Sequence, residues 1–301
     1  MKKVLSISLG SSKRDKKINT TILEQDFMIE RRGTDGDKKK AAYLFEKLDG
    51  KYDAFGLGGI DLYIYARGNR YCFRDARKII KKVSRTPVVD GSGLKNTLER
   101  KILYYLDRNQ KINFAGKRVL LVSALDRFGM ADTFTELGAE VVFGDLIFGL
   151  NLPLPLKSIR ALEILLKLAG PIITRLPFEI FYPTGKKQNQ LKTSKTYSKY
   201  YHRADIIAGD YHFIKKFLPD NIRGKVIITN SVTENDIQRL KDLKVNKLIT
   251  TTPELKGRSF GTNVMEAVLV ALADKPFTDL ETEDYYRLLD KLNFKPRILD
   301  F

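Results

Sequence analysis

The chain of 301 residues contains a single cysteine, no tryptophan and only two histidines. Cys72, alone, excludes an internal disulfide and fits a reducing compartment, so a cytoplasmic protein is expected. With His202 and His212 as the only imidazoles and no cysteine pair, a protein-built transition-metal site is not expected. Long uncharged apolar runs are also missing. The greasiest stretch, residues 141–182, is broken by Asp145, Lys157, Arg160, Glu163, Lys167 and Arg175, which argues against a membrane span. The opening MKKVLSISLG has too short an apolar segment before Lys13 and Arg14 for a signal peptide and reads as a first strand. Acidic residues are outnumbered, 36 against 54 basic ones, for a formal net charge of +18. That excess favours anionic partners such as phosphates, carboxylates, nucleic acid or acidic lipid; a lysine-rich surface serving solubility alone is the equal alternative.

What is present is centred on residues 116–144, GKRVLLVSALDRFGMADTFTELGAEVVFG. An apolar run at Val119–Val122, a loop, a helical stretch at Met130–Leu137, Gly138 and a second apolar run at Val141–Phe143 spell a right-handed βαβ unit. Both strands are apolar on consecutive residues, as parallel strands covered on two faces require. Before it, strands are expected at Val4–Leu9, at Asp53–Ile60 and at Pro87–Val89, and a strand or hairpin over residues 20–32. A hairpin is expected over residues 62–73, turning at Arg67-Gly68-Asn69. Helices are expected at Asp37–Leu48, Asp75–Val83 and Leu94–Asn109. After it come apolar helices at Leu152–Leu176, broken at Gly170-Pro171, and then strands at Asp205, Lys225 and Lys247 alternating with helices at Tyr211, Glu234, Val264 and Glu283. The fold class is therefore α/β with two domains. An N-terminal α/β unit spans residues 1–110, and a Rossmann-like parallel-sheet unit spans 111–280 with an insertion at about 150–203. A closing helix in 281–301 returns to the first unit.

Three local segments then resemble one family, the shikimate/quinate dehydrogenases. Asp90-Gly91-Ser92-Gly93-Leu94 is similar to the family's Asp-Gly-x-Gly-Phe/Leu. GKRVLL at 116–121, with GAEV at 138–141, is similar to the start of its cofactor domain. Gly261-Thr262-Asn263-Val264-Met265-Glu266-Ala267 is similar to its late Gly-Met-x-Val-x-Gln-Ala. The resemblance spans roughly residues 56–273 and implies a divergent, quinate/shikimate 5-dehydrogenase-like member. Such a member would move a hydride between NAD(P) and a small hydroxy or keto compound held in an interdomain cleft.

The departures from the family are specific. The glycine-rich turn is replaced by Ser123-Ala124-Leu125-Asp126-Arg127-Phe128-Gly129, where Leu125 takes a glycine's place and Asp126 adds negative charge. If a dinucleotide binds, Ser123, Asp126, Arg127, Gly129 and Gly261 would contact it. Asp145, about 20 residues past the turn, would accept from the ribose diol and favour NAD; a helix or turn cap is its alternative. The family's lysine segment corresponds to residues 56–64, which contain no lysine. A proton carrier is still needed, and Asp90, Asp61 and Lys95 are the candidates. An N-cap is the alternative for Asp90. Tyr63, Thr251, Arg258 and Glu266 are candidate substrate contacts; Glu266 stands where the family has glutamine, and could instead complement a helix dipole. Residues 181–203 hold six basic and five aromatic side chains and no acid, a pattern that suits nucleic acid; a solvated basic loop over the cleft, a lid or a dimer arm are its alternatives. The partner expected first is a small anionic or polyhydroxylated ligand.

Overall fold

Residues 16–22 alternate outward and inward side chains, and in the computed structural model they form one arm of a hairpin. The structure describes residues 1–66, 69–177, 195–252, 254–255, 258–259 and 261–301; of residues 65, 66, 69, 195, 254, 255, 258 and 259 it describes the backbone alone. Strand β1 (Lys2–Ser8), buried from Val4 onward, is followed by the hairpin β2 (Lys16–Ile22) and β3 (Gln25–Gly33). Leu23 and Glu24 turn that hairpin with φ of 48° and 62°, the left-handed pair a two-residue turn needs. Helix α1 (Lys38–Leu48) is capped by Asp37, whose carboxylate accepts the Lys40 N–H. Strand β4 (Ala54–Gly58) follows, then the hairpin β5 (Tyr63–Ala66) and β6 (Asn69–Cys72), helix α2 (Arg74–Ile80), strand β7 (Val88–Val89) and helix α3 (Ser92–Arg108). The turn of the β5–β6 hairpin, expected at residues 67–69, falls largely outside the described residues.

The second half holds β8 (Arg118–Leu121), α4 (Phe128–Glu136), β9 (Glu140–Phe143), α5 (Ile159–Ile173), α6 (Lys195–Arg203), β10 (Ile206–Gly209) and α7 (Tyr211–Phe217). It continues through β11 (Val226–Thr229), α8 (Glu234–Asp242), β12 (Lys247–Thr250), β13 (Glu254–Leu255), β14 (Arg258–Ser259), α9 (Thr262–Leu272), α10 (Thr282–Lys291) and β15 (Arg297–Asp300).

Two mixed sheets result. The first runs β2-β3-β1-β4-β7, parallel except for β2. The second runs β9-β8-β10-β11-β12-β15, parallel except for β15, and is a doubly wound, Rossmann-like sheet with its first strand beside its second and third. In each sheet the chain goes first to one side of its founding strand and then to the other, leaving a crevice at the carboxyl ends of β1/β4 and β8/β10. One apolar core runs from Val4, Phe27 and Phe55 through Leu94, Leu98 and Ile102 of α3 and Val264 and Val268 of α9 to Val119 and Phe134. A second core, on the other face of the second sheet, is built from Phe148, Tyr201, Phe217 and Leu248.

Two expectations change. Helix α5 does not break at Gly170-Pro171. Pro171 sits in the final turn, where the hydrogen bond it forfeits is one of the last, and the Thr174 N–H and hydroxyl both donate to Gly170 O, at 3.1 and 2.8 Å. The chain after α10 forms β15, pairing antiparallel with β12, so α10 packs on α3 and α9 but is not the last element. Among the described residues no helix is long and apolar enough to cross a membrane.

Candidate functional site

The glycines of β4 explain where the site forms. A Cβ at Gly56 would come within 2.8 Å of Asn263 O, and one at Gly58 within 3.0 Å of Asn263 Nδ2. These residues let the N-terminus of α9 press onto the first sheet, where Asn263 Nδ2 donates to Ser6 Oγ at 2.7 Å. Gly91, with φ of 95°, admits the same helix end beside Thr262. Residues from both sheets thereby meet around one cleft of about 370 Å³. Its walls are the ends of β1 (Ser8, Gly10) and β4 (Gly58, Asp61), the start of α7 (Asp210, His212), the segment after β11 (Asn230, Thr233) and the start of α9 (Gly261, Asn263).

The floor is a buried network of charge. Lys95, on the core-facing side of α3, donates to Asp61 at 2.7 Å and to Asp126 at 3.3 Å. Arg127, only 1% exposed, pairs with buried Glu99 and lies 3.8 Å from Asp126 and 3.5 Å from Asp210. Burial pushes the Asp61 carboxyl up to about 6; Asp126 and Asp90 add to the shift while Lys95 opposes it. Burial likewise raises Glu99 to about 7, against the pull of Arg127 and Lys95. Burial alone would lower the Lys95 ammonium, but Asp61 and Asp126 outweigh it and hold the proton on. Asp210 is pushed up by burial, yet His212, Arg127 and Lys95 outweigh that and leave it below the usual carboxylate range. Within this network Glu99 Oε2, Asp126 Oδ1 and Arg127 Nε have no hydrogen-bond partner among the described residues. The rim has the opposite sign. Arg14, Lys16, Arg31 and Lys216 line it, and Arg14 Nη1 lies 3.3 Å from His212 Nε2. Burial, and then Arg14, lower the Arg31 pKa to about 10, even though Asp15 accepts from it at 2.9 Å.

Of the residues singled out in the sequence, the cleft gathers Asp61, Asp90, Lys95, Asp126, Arg127 and Gly261. Asp90 is saturated. It accepts from the Leu62 and Tyr63 N–H at 2.6 and 2.9 Å and from the Ser92 N–H and hydroxyl at 3.0 and 2.5 Å, tying the β5 hairpin to α3. Tyr63 and Glu266 face a second cavity of about 370 Å³ beyond Asp90. There the Arg70 guanidinium lies 3.3 Å from the Tyr63 ring centroid. Glu266 Oε1 accepts from Tyr285 OH at 3.0 Å and the Gly93 N–H at 3.2 Å. Thr251 is buried just past β12 and does not line the cleft, and the Arg258 side chain lies outside the described residues. Sequence reasoning misses Glu99, Asp210, His212, Arg14 and Arg31. The one legible signal is Lys95 and Glu99, four apart on the same face of α3 as the buried Leu98 and Ile102.

In the turn expected to hold a dinucleotide, two backbone amides already have a partner. Asp145 Oδ1 accepts the N–H of both Ala124 and Leu125 at 2.9 Å, so a carboxylate occupies the amides a diphosphate would take. Burial, with Asp126 nearby, raises Asp145 to about 7. Asp145 thus caps the turn. Ser123 and Leu125 border a small apolar cavity of about 70 Å³ under Leu165 and Ile173 of α5, and Gly129 serves the close packing of α4 on Asn96 and Arg100. Among the described residues no group of three or more His, Cys, Asp or Glu is placed to hold a metal.

A family model described as "Domain of unknown function (DUF8754)" matches residues 93–301. The chain belongs to this DUF8754 family. A second model of unknown function, DUF8753, matches residues 3–90, so the two meet at Asp90 to Gly93, where β7 passes into α3. No curated protein matches the chain. Solved structures with some likeness to this DUF8754 chain include an ABC transporter solute-binding protein from Burkholderia multivorans. It is 11% identical, the match covers 99% of this chain and 98% of that one, and the TM-score is 0.38. The NAD-dependent malic enzyme of Thermotoga maritima is 13% identical over 97% and 84%, with a TM-score of 0.36. The glutamate dehydrogenase of Thermus thermophilus is 11% identical over 97% and 73%, with a TM-score of 0.41.

Proposed function

We propose that the cleft between the unit of residues 1–110 and that of 111–280 binds a small anionic, hydroxyl-bearing compound. Asp61, held in place by the Lys95 ammonium, carries a proton to or from its hydroxyl or carbonyl oxygen. The observation that supports this reading is the Lys95–Asp61 pair at 2.7 Å on the floor of a cleft whose rim is basic. Arg14, Lys16 and Lys216 attract the ligand's carboxylate or phosphate. Ser8, Asn230 and Asn263 offer hydrogen bonds to hydroxyls. An Asp61 carboxyl near 6 changes protonation close to neutral pH, where an acid–base group works best. The family resemblance implies a lysine in this role. Here the lysine at the site, Lys95 on the helix leaving Asp90, pairs with the carrier Asp61 and is not itself the carrier.

This is the acid–base half of an alcohol–ketone interconversion. The hydride half, with NAD as its carrier, is not assigned to the turn at Ser123–Gly129, because Asp145 occupies it. That same capping favours a second reading, a protein that holds such a ligand in the cleft without oxidising it. Nucleic acid is not favoured by the described part of the basic segment: Tyr200 and Tyr201 are buried and Tyr197 packs against Phe148 and Phe217. Base stacking needs those faces open. Lys186, Lys187 and Lys192 lie outside the described residues.

Thermal-shift and calorimetric titration with quinate, shikimate, citrate and inorganic phosphate test the proposal. Saturable binding of at least one is expected, weakened about ten-fold or more in Arg14→Ala/Lys216→Ala, the equivalent of roughly 1.4 kcal/mol. Failure of all four to bind would sink it. Retained binding with no turnover in the presence of NAD or NADP would select the second reading.

A further inference from the structure

Helix α5 is apolar on two opposed faces. Leu162, Leu166 and Gly170 are buried against the body of the protein. On the far side Ile164, Leu168 and Ile172, each four residues on from the last, are 50%, 72% and 62% exposed. Leu150, Leu152 and Leu154 before the helix and Leu176 after it are exposed too, so most of the exposed large apolar side chains among the described residues fall in this one segment. A helix with two opposed apolar faces normally has cover on both. At 1.5 Å per residue this stripe is on a helix roughly 22 Å long, and contiguous exposed apolar surface of that kind marks an interaction site.

The charges around the stripe say what covers it. Lys157, Arg160, Lys167 and Arg175 are exposed along the same segment, and the single acid among them, Glu163, is largely covered and pairs with Lys167 at 3.6 Å. A second copy of the chain would bring the same four cations against themselves, on a molecule whose net charge is already +18. A nucleic acid would gain nothing from a row of aliphatic side chains. An anionic bilayer surface satisfies both features, because the leucines and isoleucines enter the acyl boundary while the lysines and arginines meet the headgroups. We propose that α5 with its preceding loop is an interfacial anchor for anionic lipid membranes, lying in the headgroup plane without spanning.

The test is co-sedimentation of the full chain with phosphatidylcholine vesicles, with and without phosphatidylglycerol. Its companion variant is Leu168→Ser/Ile172→Ser, whose two sites are exposed enough to leave the fold intact, as an unchanged melting curve verifies. The expected result is binding to the anionic vesicles only, reduced about five-fold or more in the double variant, since each lost leucine or isoleucine removes apolar burial in the acyl boundary. Binding also weakens at about 0.5 M salt, where the screening length falls to a few ångström. Three results would each overturn the proposal. The wild type stays in solution with anionic vesicles; the double variant binds as well as the wild type; or light scattering shows a dimer that the double variant dissociates, making a second copy the cover.

Discussion

The Lys95 ammonium sits 2.7 Å from the Asp61 carboxylate, on a helix that buries Leu94, Leu98, Ile102 and Leu106 beside it. Burial works against its proton, but Asp61, Asp126 and Asp90 together outweigh it. Replacing it by a neutral side chain of similar length leaves Asp61 buried without its counter-ion. Lys95→Met is therefore expected to lose about 3–5 kcal/mol of stability. Urea denaturation at neutral pH measures this, and a loss below about 1 kcal/mol would show that the pair is screened by water.

Arg127 and Glu99 form the deeper pair, both essentially unexposed. Arg127→Met strands a carboxylate in the core, while the paired change Arg127→Met/Glu99→Leu removes charge and counter-charge together. The double variant is expected to be more stable than Arg127→Met by at least about 2 kcal/mol, because desolvating an ion pair offsets most of its attraction. Additive losses in a double-mutant cycle would contradict the pairing.

Glu266 carries a pH dependence whose sign follows from its surroundings. Burial and then Asp90 raise its carboxyl from 4.5 to about 8, with Tyr285 and the Gly93 N–H opposing. The fold prefers the protonated form, so this contribution is complete below pH 4.5 and is lost as pH rises through 8. Glu266→Gln has no proton to lose. The melting temperature of the wild type should therefore fall relative to that variant by several degrees between about pH 5 and pH 9. A constant difference across that range would mean Glu266 is ionised throughout.

The Ala124 and Leu125 N–H groups, held by Asp145 at 2.9 Å, set up a competition. If a dinucleotide uses this turn, its diphosphate must displace a carboxylate, and Asp145→Ala is expected to raise NAD affinity about ten-fold, the equivalent of roughly 1.4 kcal/mol. Calorimetric titration of both proteins decides the point. Equal affinities would place any dinucleotide elsewhere on the molecule.

Most elements are legible in the sequence because apolar runs in parallel strands and the i, i+4 stripes of α1 and α3 are strong local signals. The strand β15 is not, since Arg297–Asp300 has neither a long apolar run nor strict alternation and owes its conformation to β12 beside it. Helix α6 reads as a basic loop. Its tyrosines look presented for stacking, whereas the fold buries Tyr200 and Tyr201 against Phe148 and its neighbours. The site is half legible. Asp61, Lys95 and Asp126 stand out as charges next to glycine-rich or apolar stretches. Asp210 and His212 read as an ordinary helix start, and Arg14, which meets His212, lies 198 positions before it. Only the register of two sheets brings them together.

The seat that Gly56 and Gly58 make for α9 ties completion of the first sheet to the far end of the chain. Strands β1 and β4 have one face covered by α9, whose Val264 and Val268 join the core of Val4 and Phe55. That helix emerges only after β8, β9, β10, β11 and β12 have all been made. The segment matched by the first-sheet family model, residues 3–90, therefore lacks a layer of its own core until α9 has crossed back. Contacts so distant in sequence close late and slowly. The two halves are expected to melt in one transition, with no intermediate in which residues 3–90 alone are ordered.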